Sequence, residues 1–258
     1  MRSLWSSAVT TVISGFLLMS CGQTNQESEV KNVFGADDRQ AITTDQYPWR
    51  TIGMVRIGGS ACTGTLVARD LVLTAAHCVI DSQTKKLTTS PVYFYPNHKG
   101  GTHKDEAYAV WTWWGTNDPA QFRGDDWAIF KLNKAIGDQY GWLGILGTNV
   151  QSFPQQLSVA GYSGDFAGGQ TAGVHHNCYK RGDNANGRMI FHDCDTARGS
   201  SGGPALRMYN NQLTIVGLNV AEYRNGGEES LRLPNYQGSN PNVVIPSGDF
   251  VRKVKELL

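Results

Sequence analysis

Three short strings in the sequence combine residue types that can perform acyl transfer. The first, TAAHC at residues 74–78, ends an apolar run with a histidine, His77. The second, DDWAIF at residues 125–130, places two carboxylates directly before another apolar run, where an unpaired buried charge would be costly. The third, GSSGGP at residues 199–204, concentrates glycines around two serines, which leaves backbone N–H groups unhindered.

Together the strings supply the parts of a nucleophilic mechanism. A serine is inert until a base takes its proton, and the imidazolium that forms needs a buried carboxylate beside it. His77, Asp126 and Ser201 fit these roles, and the glycines near the serine provide donors for an oxyanion. Each string alone has a simpler explanation: a structural histidine, a solvated acidic turn or a glycine-serine turn. Their joint occurrence favours catalysis.

Most of the chain consists of short β-branched and aromatic runs separated by turn signals. No long amphipathic pattern lies between these runs, which favours an all-β architecture of two barrels or sandwiches. The glycine-rich stretch 137–147 is the expected boundary, and a helix is expected only at the C-terminus, where four apolar residues share one face. The expected strands cover residues 49–57, 63–68, 71–74, 91–95, 108–113, 127–132, 156–162, 188–192, 204–209 and 213–220, and the helix face consists of Phe250, Val251, Val254 and Leu258.

The composition of the 258 residues agrees with a folded, turn-rich β protein. Hydrophobic residues make up 40%, charged residues only 17%, and there are 30 glycines, so disorder is excluded for most of the chain. With 23 basic and 22 acidic residues the net charge is +1, and no electrostatic footprint for nucleic acid is present. We therefore expect no nucleic-acid partner.

The N-terminus is typical of an exported protein. Arg2 and the apolar run that follows predict a signal peptide over residues 1–20, too short to span a membrane stably. The string LMSC, which ends at Cys21, resembles the lipobox of bacterial lipoproteins. We expect a lipid on Cys21, a polar tether or propeptide over residues 21–32, and a protein that is membrane-anchored or released to the periplasm or the extracellular space. Ordinary cleavage nearby, without a lipid, is the alternative.

Four cysteines remain when Cys21 is set aside, and an exported chain can pair them. Two local disulfides are the simplest arrangement, Cys62 with Cys78 and Cys178 with Cys194. A zinc site is the alternative, because imidazole and thiolate are good zinc ligands, but the spacing matches no usual finger pattern. We expect no metal and no cofactor. The residues of that alternative site are His175, His176, Cys178, His192 and Cys194.

The strings TAAHC, DWAI and GSSGGP, in this order, resemble the chymotrypsin-type serine peptidases. The resemblance implies a serine endopeptidase acting on proteins or peptides as a monomer, with a catalytic domain over residues 33–258. It also implies two six-stranded antiparallel β-barrels, the first ending near residue 140, and a C-terminal helix. Within the family, the start VFGADDR at residues 33–39 and the presence of Thr196 resemble the bacterial glutamyl-endopeptidase branch.

Residue by residue, the resemblance assigns the roles within the strings. Ser201, rather than Ser200, precedes the Gly-Gly pair and matches the nucleophile. Asp126, rather than Asp125, stands directly before Trp-Ala-Ile and matches the triad carboxylate. Gly199 and Ser201 match the backbone donors of the oxyanion hole.

The same resemblance predicts a primary specificity pocket. Asp195 lies where trypsin-like members place the carboxylate that binds a substrate Lys or Arg, so we expect cleavage after those residues. Glutamate-cutting members use a histidine where this chain has Asn219, which leaves Glu specificity as the alternative. The expected lining residues are Asp195, Thr196, Asn219, Val220 and Glu222.

Activation by cleavage before Val33 is also expected, although Ser200 replaces the aspartate that receives the new N-terminal amine in animal members. Two other functions stay open at this point. A catalytically silent binding module would keep the fold but lose triad members, and all three are present. An esterase of the G-x-S-x-G type would place its serine before the aspartate and histidine, which is not the order here.

Overall fold

The computed structural model describes residues 31–223 and 235–258. The expected signal peptide, the lipidation site Cys21 and most of the tether lie outside the described residues. Across the two described stretches, no helix is long and apolar enough to cross a membrane.

The first barrel is a closed ring of six antiparallel strands in the order β3-β4-β5-β8-β7-β6. Alternation is clearest in β6, where Val92 and Phe94 point inward and their neighbours are partly exposed. The rings of Phe94 and Phe130 meet edge to face in the core at 6.4 Å. The six strands are β3 (Ile52–Ile57), β4 (Ser60–Leu66), β5 (Leu71–Thr74), β6 (Val92–Pro96), β7 (Ala107–Trp114) and β8 (Ala128–Leu132).

The second barrel also closes with six strands, because β10 pairs with both β9 and β11. Two further short strands from the start of the described chain join this half: β2 adds to the edge of β10, and β1 pairs with β12. The strands are β1 (Lys31–Asn32), β2 (Arg39–Ala41), β9 (Gln156–Gly161), β10 (Gly173–Asp183), β11 (Ile190–His192), β12 (Thr196–Ala197), β13 (Pro204–Tyr209), β14 (Gln212–Glu222) and β15 (Asn242–Pro246).

The N-terminal segment is fixed to the second barrel by a buried ion-pair cluster. The guanidinium of Arg39 is only 3% exposed and lies 2.7 Å from a carboxylate oxygen of Asp37 and 2.8 Å from one of Asp165. It also lies over the ring of Phe166, 5.0 Å from the ring centroid. Residues that precede the first barrel in sequence are therefore part of the second.

Two helices differ in part from expectation. The C-terminal helix α2 (Gly248–Leu257) is confirmed and buries Phe250, Val251 and Val254, but Leu258 is 80% exposed and does not belong to the packed face. A one-turn helix, α1 (Gly137–Tyr140), lies inside the stretch expected to be only a boundary. The division into domains stays a prediction.

The fold expectation of two six-stranded antiparallel barrels with a C-terminal helix is confirmed. Two strands of the second barrel, β10 and β15, were not expected. The β10 sequence lacks simple alternation because a bulge interrupts it between His175 and Cys178, with Asn177 at φ +58°.

Candidate active site

The candidate histidine and aspartate are brought together by the pairing of β5 with β8. Thr74 at the end of β5 faces Ala128 at the start of β8, so the turns beside these strands meet. Asp126 is fully buried; its Oδ1 accepts the backbone N–H of His77 at 2.9 Å, and its Oδ2 lies 2.8 Å from Nδ1 of the ring. Both carboxylate oxygens are therefore used to hold one imidazole.

The environment of His77 favours its protonated form. Burial of the ring lowers its pKa, but the charge of Asp126 and the hydrogen bond to it outweigh burial and raise the pKa above the ordinary 6.5. The side chain is still 35% exposed. An imidazole in this position can accept a proton from a neighbouring hydroxyl and stay stabilised as the cation.

Ser201 lies with His77 on the wall of one cavity of about 250 Å³. The serine is 8% exposed, and within the described part of the chain its hydroxyl has no hydrogen-bond partner. No hydrogen bond joins Ser201 to His77 in this state of the protein. The Cys62–Cys78 disulfide forms part of the same wall.

Two backbone N–H groups beside the serine are free to bind an oxyanion. Within residues 31–223 and 235–258, neither Gly199 nor Ser201 donates its N–H to a protein acceptor. Gly199 has φ +101°, and a Cβ there would lie 2.3 Å from the carbonyl oxygen of Tyr162. The position therefore requires glycine, because any Cβ would displace the backbone that carries this N–H.

Asp195 lies elsewhere than expected. Its side chain is fully buried, and its two oxygens accept the backbone N–H groups of Phe34 at 2.9 Å and Asp38 at 3.0 Å. The backbone N–H of Asp195 in turn donates to Nδ1 of His175 at 2.9 Å. The carboxylate therefore holds the N-terminal segment, whereas the sequence had placed it at the floor of a substrate pocket.

The other expected pocket residues divide into two groups. Thr196 and Glu222 meet, since the threonine hydroxyl donates to Oε1 of the glutamate at 3.2 Å. Asn219 and Val220 are buried, and the amide of Asn219 donates to the hydroxyl of Ser200 at 3.1 Å. Asn219 therefore supports the loop before the nucleophile instead of offering its amide to substrate.

Sequence reasoning missed two asparagines in this region. The amide of Asn32, which is 1% exposed, donates to the carbonyls of Tyr223 at 3.2 Å and Asn240 at 3.1 Å. The amide of Asn242 donates to the carbonyls of Asn32 at 3.0 Å and Cys194 at 2.6 Å. No sequence signal marks them, because their contacts join residues between 48 and 210 positions apart in the sequence.

Both expected disulfides, Cys62–Cys78 and Cys178–Cys194, are confirmed. The second pairing removes the two thiolates that the zinc alternative required. His192, another member of that alternative set, is fully buried, and burial lowers its pKa to about 4.

A two-barrel fold with a buried aspartate-histidine pair between its strands defines a chymotrypsin-type protein. The family model described as Trypsin matches residues 38–243, and the chain belongs to this family.

Similar proteins agree with that assignment. The glutamyl endopeptidase of Bacillus licheniformis is 26% identical over 203 residues, which is 76% of this chain but only 62% of that protein. A Bacillus subtilis protein named extracellular metalloprotease is 28% identical over 224 residues, covering 80% of this chain and 68% of the relative. The solved structure of a Glu endopeptidase matches 87% of this chain and 98% of its own with a TM-score of 0.70 at 24% identity, which shows the shared fold.

Proposed function

We propose that the protein is a serine endopeptidase in which His77, Asp126 and Ser201 form the catalytic triad. The observation that carries this proposal is the buried Asp126 carboxylate, which holds the His77 ring through two contacts while that ring shares a cavity with Ser201. The free N–H groups of Gly199 and Ser201 support it.

In the proposed mechanism Oγ of Ser201 attacks the scissile carbonyl carbon while its proton passes to Nε2 of His77. The N–H groups of Gly199 and Ser201 hold the oxyanion that forms. Collapse breaks the C–N bond, and His77 returns the proton to the departing amine. Water then attacks the acyl ester in the same way, which releases the acid and restores the serine.

Labelling with an active-site phosphonate and hydrolysis of a mixed peptide library test this mechanism. We expect Ser201→Ala to lose both labelling and hydrolysis by several orders of magnitude with its circular dichroism unchanged. Ser200→Ala is the matched control, because the hydroxyl of Ser200 donates to the carbonyl of Ala197 at 2.7 Å and lies outside the proton relay. Full hydrolysis by folded Ser201→Ala would end the proposal.

For the residue before the scissile bond, P1, we propose Lys or Arg, with Glu222 as the acidic group of the pocket. Its contact with Thr196 supports a position on the pocket wall, and Asp195 is already used inside the protein. Cleavage after Glu is the alternative, supported by similarity to the glutamyl endopeptidase of Bacillus licheniformis.

Matched peptides with Arg, Glu or Leu at P1 distinguish cleavage after Lys or Arg from cleavage after Glu. We expect kcat/KM to be highest for the Arg peptide. This preference should disappear in Glu222→Gln and persist in Asp195→Asn. A preference for Glu in the unmodified enzyme would support the alternative.

We further propose export, lipid attachment at Cys21 and activation by cleavage between Asn32 and Val33. The two disulfides support export. The amide of Asn32 donates to the carbonyl of Tyr223, which follows Glu222, and we expect a cut after Asn32 to loosen that part of the pocket wall. N-terminal sequencing of soluble and membrane fractions tests this: we expect active soluble protein to begin at Val33. An active form that begins only at lipidated Cys21 would contradict it.

A further inference from the structure

Arg123 is a cation at the candidate site that the proposed mechanism does not use. It begins the single turn Arg123–Asp125 that leads into β8, three residues before Asp126. The pKa of His77, which burial lowers and Asp126 raises, is also lowered by the positive charge of Arg123. The positive charge of Arg123 therefore acts on the imidazole.

Among the described residues the guanidinium has an aromatic neighbour but no hydrogen-bond acceptor. Its Cζ lies 5.4 Å from the ring centroid of Tyr223. Its Nε is buried without a hydrogen-bond partner, and within the described ranges the side chain takes part in no ion pair. A buried donor left without an acceptor costs free energy, so the position favours a ligand that supplies one.

The carboxylates nearest in the chain and at the site are already engaged. Asp125 pairs with Arg188, and Asp126 holds His77. Within residues 31–223 and 235–258 no carboxylate pairs with Arg123, so its guanidinium can take an acceptor from a molecule that enters the site.

The location of Arg123 indicates which part of a substrate would meet it. The cavity shared by His77 and Ser201 is not lined by Arg123 or Tyr223. Tyr223 directly follows β14, whose end carries Val220 and Glu222, the residues expected to line the pocket for the acyl side. With Glu222 in the proposed P1 pocket, Arg123 would lie beside the substrate residues that precede the scissile bond.

We propose that Arg123 and Tyr223 form a subsite for an acidic substrate side chain on the N-terminal side of the scissile bond. A guanidinium offers a planar pair of donors that matches a carboxylate, and the tyrosine ring holds that plane in place. The inference rests on the proposed peptidase function and adds a substrate class, peptides with Asp or Glu shortly before the cleaved residue.

Three pairs of peptides test the subsite, each with Glu or Gln at P2, P3 or P4 and the same residue at P1. We expect kcat/KM to favour Glu over Gln by about tenfold at one of these positions. In Arg123→Met the ratio of kcat/KM for the Glu and Gln peptides should fall to about one. Arg207→Met is the matched control, because Arg207 is an exposed arginine on β13 away from the site, and it should keep the preference.

A second measurement separates a direct role from a structural one. With the Gln peptide, loss of the cation in Arg123→Met raises the pKa of His77, whose other charged neighbours are Asp126 and Glu222, so the acid limb of kcat/KM moves to higher pH. In Arg123→Lys the acid limb should return to the pH of the unmodified enzyme, because the positive charge is kept, but the preference for Glu over Gln should return only in part.

Equal rates for Glu and Gln at all three positions, or a preference that survives in Arg123→Met, would overturn the subsite with the peptidase intact. If the unmodified protein shows no hydrolysis that depends on Ser201, the peptidase function is overturned, and the subsite with it.

Discussion

Replacing Asp195 by asparagine should destabilise the whole domain instead of changing what it cleaves. The carboxylate is fully buried and accepts the backbone N–H groups of Phe34 and Asp38, one on each oxygen. Hydrogen bonds to a charged group contribute about 1.5–3 kcal/mol each. Asparagine keeps one acceptor but turns its own N–H₂ toward the second donor, which leaves that buried amide unpaired.

From these contacts we expect the free energy of unfolding to fall by about 3–5 kcal/mol, the range for breaking a buried charged interaction. Urea titration followed by tryptophan fluorescence measures the change. Asp138→Asn provides the control, because its ion pair with Arg69 is more than half exposed on both sides and should contribute at most about 1 kcal/mol. The ratio of kcat/KM for Arg, Glu and Leu peptides should not change in the folded fraction.

The opposite pattern would refute this reasoning. If Asp195→Asn leaves the free energy of unfolding within about 1 kcal/mol of the unmodified protein and lowers cleavage after Arg by orders of magnitude, the carboxylate faces substrate. The contacts with Phe34 and Asp38 would then not persist in the active enzyme.

Three further predictions concern the site and its supports. His77 must be neutral to act as base and its pKa is raised, so kcat/KM should fall as the pH drops through that pKa. Asp126→Asn should move this acid limb of the pH profile to lower pH and lower kcat about ten-thousandfold. Profiles of kcat/KM and kcat against pH for both proteins measure these changes. Gly199→Ala should lower kcat by at least about a hundredfold with KM changed less, since a Cβ would displace an oxyanion donor; an unchanged kcat in steady-state assays would contradict the assignment. Replacing Cys178 and Cys194 together by serine should lower the free energy of unfolding by about 3 kcal/mol in urea titrations, because the bridge spans 16 residues of sequence, and an unchanged midpoint would contradict it.

The sequence predicted the parts of the site that depend on local pattern. The three strings taken together, and their resemblance to chymotrypsin-type peptidases, predicted the His77–Asp126 contact, and the structure shows that the pairing of β5 with β8 produces it. Asp195 was misplaced because its orientation depends on residues 34–38, which reach it across about 160 positions of sequence. The contact of Arg123 with Tyr223 also joins distant parts of the sequence, and no periodicity encodes it.

The strand β2 has a consequence for how the protein folds. It pairs with β10, Arg39 facing His175, so two segments 136 residues apart must meet, and the whole first barrel lies in the loop that they close. The entropy cost of closing a loop grows only slowly with its length, but long-range pairing slows folding. During synthesis β2 stays unpaired until His175, about two thirds of the way along the 258 residues, has emerged from the ribosome. A fragment that ends after the first barrel would therefore expose β2 as an open edge, and we expect such fragments to aggregate, whereas the complete chain folds as one cooperative unit.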